Sequence, residues 1–423
     1  MISSIAFGLF GLAVLISVAF LFSGNKKAVD WKQVVGGVGL QITFAIIVIL
    51  VPGGREFFEI ISRVFIKIID FALVGGKFIF GDLADVNQFG FIFTFQVLPT
   101  IIFFASLMAV LYHIGLIQKI VQAMAWVMLK TLRVSGSESL SVAANVFIGQ
   151  TEAPLVVRPY IAKMTESELF TMMVGGMATI AGAVLTAYIA MLAGADESMR
   201  LFYAKHLLAA SVMAAPATVV IAKLLRPETE ESLTKGTVNL KVEKTATNVI
   251  EAAANGAADG VKLSLNVAGM LLAFVALIAM VNFPLEWIGT KTGIEAMIGQ
   301  PLSLSIILGY LLSPMAWVIG IPWDEAVIVG GLIGEKVVLN EFVAYMHLGE
   351  IKETLSEHSV LISTYALCGF ANFSSIAIQL GGIGGLAPNR RPDIARLGLR
   401  AVLGGTLATM MTATIAGVLS SMT

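Results

Sequence analysis

Two glutamates, Glu152 and Glu341, stand inside otherwise apolar stretches in the company of hydrogen-bonding side chains. Gln150 and Thr151 precede the first, and Asn340 precedes the second. A carboxylate in a membrane interior costs about 2.5–3.5 kcal/mol on insertion scales, so it must be paired, line a wet cavity or bind something. A structural ion pair, Glu152 with Arg158 or Glu341 with Lys336, is one solution. Amide, hydroxyl and carboxylate gathered at one point fit a polar-ligand pocket better. Just upstream, Ser141–Gly149 ends with Asn145 and Ile148, one turn before that cluster. An amide oxygen, a backbone carbonyl and a hydroxyl such as that of Thr179 form an oxygen set suited to Na+, although Asn and Thr also cross-link membrane helices. A third group, Cys368-Gly-Phe-Ala-Asn-Phe-Ser-Ser375, sets the ring of Phe370 beside the amide of Asn372 and the hydroxyl of Ser375. It serves a ligand or an interhelical hydrogen-bond patch equally well.

Two carboxylates in one pocket could also run general acid–base chemistry. The chain has no HExxH, no paired-Asp motif and no phosphate-binding loop, which disfavours an intramembrane enzyme. Gly381-Gly-Ile-Gly-Gly385 follows no strand, so it suits close helix packing rather than a dinucleotide. One cysteine, Cys368, makes neither an internal disulfide nor a metal site, and the four histidines are far apart.

The elements that must position these groups follow from composition. Of 423 residues, 57% are hydrophobic and 13% charged, against about 45–50% and about 25% in a soluble domain. With a mean hydropathy of +0.89, this is an integral membrane protein. The apolar residues come in unbroken runs, which excludes a β-barrel. A net charge of −1 gives no basic field for nucleic acid. Met1 to Asn25 carries no charge and lacks the basic start of a cleaved signal, and Lys26, Lys27 and Lys32 follow it. It is expected to be a true first span with its N-terminus outside.

Runs long enough to span recur at 33–54, 86–112, 170–195, 201–222, 263–285, 359–389 and 401–423, giving eight spans with the first. Arg55–Leu73 spaces its charges like a helix lying in the interface or packed on other helices. The polar stretch 226–262, with Glu228, Glu230, Glu231, Lys235, Lys241, Glu243 and Lys244, is expected to be a cytoplasmic connection with an amphipathic helix over 245–259. Segments 136–163 and 324–350 each hold about ten apolar residues either side of a polar tip, the pattern of re-entrant hairpins. Met124-Ala-Trp-Val-Met128 and Met315-Ala-Trp-Val-Ile319 precede the glutamates at similar distances, 26 and 24 residues counted from Trp126 and Trp317, which makes an internal repeat. Lys119, Lys130, Arg133, Arg158 and Lys163 surround the first hairpin, whereas Asp324, Glu325, Glu350 and Glu353 dominate the second. Opposite charge bias predicts opposite orientation, the inverted repeat of secondary transporters.

At these motifs the sequence resembles a known family. Gly149-Gln-Thr-Glu-Ala-Pro-Leu-Val156, Gly334-Glu-Lys-Val-Val-Leu-Asn-Glu-Phe-Val-Ala-Tyr345 and Cys368–Ser375 are similar to the three signatures of the concentrative nucleoside transporters. They occur in the family's order, and the length resembles its shorter bacterial members. The resemblance implies an all-α integral membrane fold: eight transmembrane helices, two opposed re-entrant hairpins and interfacial helices. It implies a homotrimer in the bacterial inner membrane and an elevator motion importing nucleosides with Na+, or H+ in some members. It implies no catalysis and no cofactor beyond the coupling ion. Carried over, Gln150, Thr151 and Glu152 would meet the nucleobase; Glu341, Asn372 and Ser375 would hold the ribose; Phe370 would pack on the ligand and Leu263 would line the base pocket. The Asn145 and Thr179 side chains with the Ile148 and Ile180 carbonyls resemble the Na+ site, with threonine at 179 where serine is expected. The expected organisation is 1–115 as mostly scaffold, 116–226 as the first repeat, 227–261 as the connection and 262–423 as the second repeat.

Overall fold

The computed structural model describes residues 2–194, 196–236 and 246–422, and no strand occurs among them. Met1, Ala195, Lys241, Glu243, Lys244, Thr245 and Thr423, which the sequence assigned to spans or to the connection, lie outside the described residues. The protein is a multi-pass helical membrane protein, with seven helical stretches long and apolar enough to span among the described residues, one of which, 166–193, is interrupted.

Three helices open the chain: α1 (Ile2–Leu21), α2 (Trp31–Ile49, capped by the Asp30 carboxylate) and α3 (Pro52–Phe80). The helix expected over 55–73 starts earlier, at Pro52, because proline at a first helical position costs no hydrogen bond. The expected span 86–112 begins only at Phe93, as α4 (Phe93–His113).

From there a single order of elements occurs twice. First come α5 (Leu116–Leu132), α6 (Gly136–Asn145), a tip and a short return arm (Ala153–Ile161), then α7 (Glu166–Ala178), α8 (Gly182–Ala193) and α9 (Glu197–Leu225). After α10 (Val249–Thr292) come α11 (Leu304–Val318), α12 (Ala326–Val338), α13 (Glu341–Ile351), α14 (Glu357–Leu367), α15 (Phe373–Leu386) and α16 (Arg391–Ser420). A constant shift of 191 residues carries Trp126 to Trp317, the cap Thr165 to the cap Ser356, and the start of α8 at Gly182 to that of α15 at Phe373.

Three expectations need correction. The amphipathic segment 245–259 and the span 263–285 form one 44-residue helix, α10, because nothing between the Asn248 cap and Gly293 stops it. The spans 170–195 and 359–389 are each broken in two, at Thr179–Ala181 and at Cys368–Asn372. Matching Glu152 with Glu341 also fails: the first tip, 146–152, is longer than the second, 339–340, and the 191-residue shift pairs Gln150 with Glu341.

Helices α9 and α16 form the centre, each with 89% of its apolar window buried, whereas α10 buries 11% and rides on α4 at the periphery. Lipid supplies no hydrophobic drive between helices, so close approach by small residues does the work. A Cβ added at Gly260 would lie 2.7 Å from the Cα of Ile102, which shows how tightly α10 sits on α4.

Candidate functional site

The first hairpin begins with a capping box: Ser135 accepts from the Glu138 N–H, and Glu138 bonds back to the Ser135 N–H at 3.0 Å. Helix α6 stops at Asn145, and the tip turns on the Gly149 carbonyl, which accepts from the N–H groups of Glu152 (3.1 Å) and Ala153 (2.9 Å). The second tip is shorter. Asn340 caps α13 by accepting from the Val343 N–H at 3.0 Å, which places Glu341 on the first helical position. In the same way Asn372 restarts the broken span at α15 by accepting from the Ser375 N–H at 2.8 Å.

Each tip is held by the broken span of the opposite half. Gln150 donates from Nε2 to Ser375 Oγ (3.0 Å) and accepts at Oε1 from Gln379 Nε2 (3.1 Å), which also donates to the Met173 carbonyl (2.9 Å). Glu341 accepts from the Tyr188 hydroxyl (3.0 Å) and from Asn372 Nδ2 (2.8 Å). The 191-residue shift relates the two arrangements: Gln150 corresponds to Glu341, and Tyr188 to Gln379. Between them the Phe370 N–H donates to the Thr179 carbonyl at 3.3 Å, joining the two breaks at positions that are each other's counterparts. Tyr188 is fixed further by stacking on Tyr345, with ring centroids 4.2 Å apart.

Of the expected ligand residues, the structure thus gathers Gln150, Glu341, Phe370, Asn372 and Ser375. Thr151 packs on α15 beside them, its Cγ2 3.2 Å from where a Cβ on Gly382 would stand. Glu152 closes the tip on its exposed side and makes no ion pair among the described residues. Nor does Glu341 pair with Lys336, whose ammonium donates instead to the Ala366 carbonyl (2.8 Å) and Thr409 Oγ1 (2.9 Å). Leu263 is carried by α10 on its half-buried side, and no described contact ties it to the polar cluster.

The oxygen set expected for Na+ collects where the first tip meets the first break. The Gly182 N–H donates to the Phe147 carbonyl at 3.2 Å, and a Cβ on Gly175 would lie 3.5 Å from Asn145 Nδ2. Asn145 spends Nδ2 on the Ser141 carbonyl at 3.0 Å, but its fully buried Oδ1 has no partner. A buried carbonyl oxygen without a donor is costly, and a cation repairs the deficit. Thr179 donates its hydroxyl proton to the Gly175 carbonyl at 2.8 Å, which leaves the oxygen lone pairs free to coordinate. The Ile148 and Ile180 carbonyls flank these groups and accept no backbone hydrogen bond among the described residues. The residues fit a small hard cation.

Tyr188 and Gln379 escaped the sequence. Gln379 had a signal, an amide alone in the apolar run of α15; a tyrosine in a span such as α8 has none.

Comparison with known proteins follows the same lines. A family model described as Na+ dependent nucleoside transporter C-terminus matches residues 206–417, its N-terminal companion matches 10–83, and a model described as a nucleoside recognition gate matches 94–195. The chain is 42% identical to the nucleoside permease NupC of Helicobacter pylori, over 99% of this chain and 98% of that one. It is 40% identical to human sodium/nucleoside cotransporter 1, covering 97% of this chain and 63% of the longer human protein. Among solved structures, CNTnw in an inward-facing substrate-bound state superposes with a TM-score of 0.88 at 44% identity over 99% of both chains. A CNTnw variant in an outward-facing state superposes with a TM-score of 0.90 over 100% of this chain and 99% of that one. The chain belongs to the concentrative nucleoside transporter family.

Proposed function

We propose that this transporter imports nucleosides across the bacterial inner membrane by Na+ symport, working as a homotrimer whose substrate-bearing body moves as an elevator. The observation that carries the reading is the pair of hairpin tips, each bonded to the opposite half. Gln150 and Glu341 are thereby held in one cluster with Asn372 and Ser375. Gln150, Thr151 and Glu152 address the base, whose mixed donors and acceptors match amide, hydroxyl and carboxylate. Glu341, with Asn372 and Ser375, takes the ribose, since each carboxylate oxygen has a second lone pair beyond its bond to Tyr188 or Asn372 and suits adjacent hydroxyls. Phe370 packs on the ligand, and Leu263 lines the base pocket once the moving body reaches α10. Asn145, Thr179 and the carbonyls of Ile148 and Ile180 hold the Na+, a reading supported by the partnerless Asn145 Oδ1.

The hairpins are re-entrant and oppositely oriented in this reading, which places both tips near the midplane as in other inverted-repeat transporters. No acid–base chemistry is assigned to Glu152 and Glu341, because the relatives are transporters, not enzymes. The test is uridine uptake into proteoliposomes under an inward Na+ gradient, an inward H+ gradient or neither. Accumulation is expected with Na+ alone. Accumulation with H+ alone would keep the nucleoside site and discard the ion ligands, and failure of every nucleoside under every gradient would discard both.

A further inference from the structure

We propose that each half of the molecule carries one monovalent-cation site, and that the second is permanently filled by the chain's own Lys336 ammonium. Only the first, to which Thr218 adds an oxygen, is then open to a free ion, so one Na+ accompanies each nucleoside. The inference rests on the sodium reading above and goes beyond it.

Three pairs of positions are decisive. The 191-residue shift that relates the two halves carries Asn145 to Lys336, Gly175 to Ala366 and Thr218 to Thr409. In the second half these residues form a finished cation site. Lys336 is fully buried, and its ammonium donates to the Ala366 carbonyl at 2.8 Å and to Thr409 Oγ1 at 2.9 Å. In the first half the same positions hold oxygens and no cationic side chain. Asn145 and Thr218 are both fully buried, and Asn145 Oδ1 and Thr218 Oγ1 both lack a hydrogen-bond partner. Gly175 joins them: a Cβ there would lie 3.5 Å from Asn145 Nδ2 and 3.6 Å from Thr218 Cγ2.

The electrostatics agree in both halves. Ala366 lies in the last turn of α14 and Gly175 in the last turn of α7, each just before its break. Carbonyls of a last turn lack intrahelical donors and carry the negative end of the helix dipole, so both sites draw a cation. A lysine ammonium is a compact point charge with three donors, a fair substitute for a bound monovalent ion. The halves part at one further place. Thr179 offers a hydroxyl to the first site, whereas its counterpart Phe370 offers none to the second. A tethered ammonium needs fewer oxygens than a bare ion, which suits the poorer site.

The experiment is equilibrium binding of radiolabelled Na+ to the purified protein, together with Na+ titrations of uridine uptake. One Na+ per chain is expected for the wild type. Thr218→Val is expected to raise the Na+ concentration for half-maximal uptake about tenfold, equivalent to about 1.4 kcal/mol. The counterpart change Thr409→Val is expected to leave that concentration unaltered. Lys336→Asn places in the second half the residue its counterpart holds and is expected to raise binding to two Na+ per chain. Should that variant fail to fold, the wild-type count and the contrast between Thr218→Val and Thr409→Val still decide. Two Na+ on the wild type would overturn the inference while keeping the sodium reading. So would equal shifts in the two threonine variants, or a folded Lys336→Asn that still binds one. A wild type that binds none would remove the sodium reading, and this inference with it.

Discussion

At the first hairpin tip the direction of one amide decides what the pocket asks of its ligand. The Met173 carbonyl can only accept, so the Gln379 atom 2.9 Å away is its nitrogen, and Gln150 must turn Oε1 toward the same nitrogen. Gln150 therefore keeps its NH2 for Ser375 and, in the proposed function, for the ligand, as a donor to a base carbonyl. Gln379→Glu offers only an acceptor, which reverses the Gln150 amide and presents Oε1 to the base. The ratio of uridine to cytidine uptake should then fall about tenfold, a change of about 1.4 kcal/mol; an unchanged ratio would remove Gln379 from base selection. On the other side, both oxygens of Glu341 already accept, from Tyr188 and Asn372. Glu341→Gln sets an NH2 against one of those donors and is expected to abolish uptake while leaving assembly intact. Wild-type-like uptake by that variant would take the ribose from Glu341. Tyr188→Phe removes one donor to the carboxylate, an interaction worth about 1.5–3 kcal/mol. Uridine affinity, measured by calorimetry in detergent, should weaken about tenfold or more, and an unaltered affinity would mean that Asn372 alone orients Glu341.

Between residue and molecule, what counts is how closely elements approach and where they stop. The α10–α4 contact is set by Gly260, where a Cβ would meet Ile102 Cα at 2.7 Å and Ala105 Cβ at 3.0 Å. Gly260→Val should cost about 1–3 kcal/mol by overpacking and lower the melting temperature in detergent; a melting curve that overlays the wild type would mean the two helices part without penalty. Gly176 plays the same part at the site, since a Cβ there would stand 2.8 Å from Gln150 Cβ and 3.0 Å from Gln379 Nε2. What could be seen in the sequence follows from this division. The hairpin tips were legible because Gln150, Thr151, Asn340 and Glu341 are polar groups in apolar runs. The break at Thr179–Ala181 was not. Met177-Ala-Thr-Ile-Ala-Gly182 has no proline and reads as continuous helix, and the helix ends there where the Thr179 carbonyl meets the Phe370 N–H from the other half. Tyr188 and Gln379 were hidden for the same reason: their partners lie 153 and 229 residues away in sequence. The continuity of α10 was missed in the opposite sense, because Asp259 and Lys262 look like a boundary yet a helix tolerates both.

For the whole molecule, the cross-bonds at the site limit how access can alternate. Gln150 with Ser375 and Gln379, and Glu341 with Tyr188, tie the two halves through their own ligand groups. A cleft that opened between the halves would break the site on every cycle. In the proposed elevator the halves travel together, and its sliding surface would lie against α4 and α10, whose windows are only 28% and 11% buried within one chain. The same exposure leaves α10 free to meet other copies in the proposed trimer, which native mass spectrometry should register as three chains. One contact across the proposed sliding surface is well defined: a Cβ on Gly182, at the start of α8, would lie 2.6 Å from the Cε1 of Phe104 on α4. With Cys368 replaced by alanine, cysteines at 104 and 182 joined by a short bis-maleimide would pin the moving body to α4. Uptake is expected to stop in the joined protein and to persist in the same double-cysteine protein before the reagent is added. Uptake that survives the link would place the motion elsewhere, because a body fixed to α4 cannot slide past it.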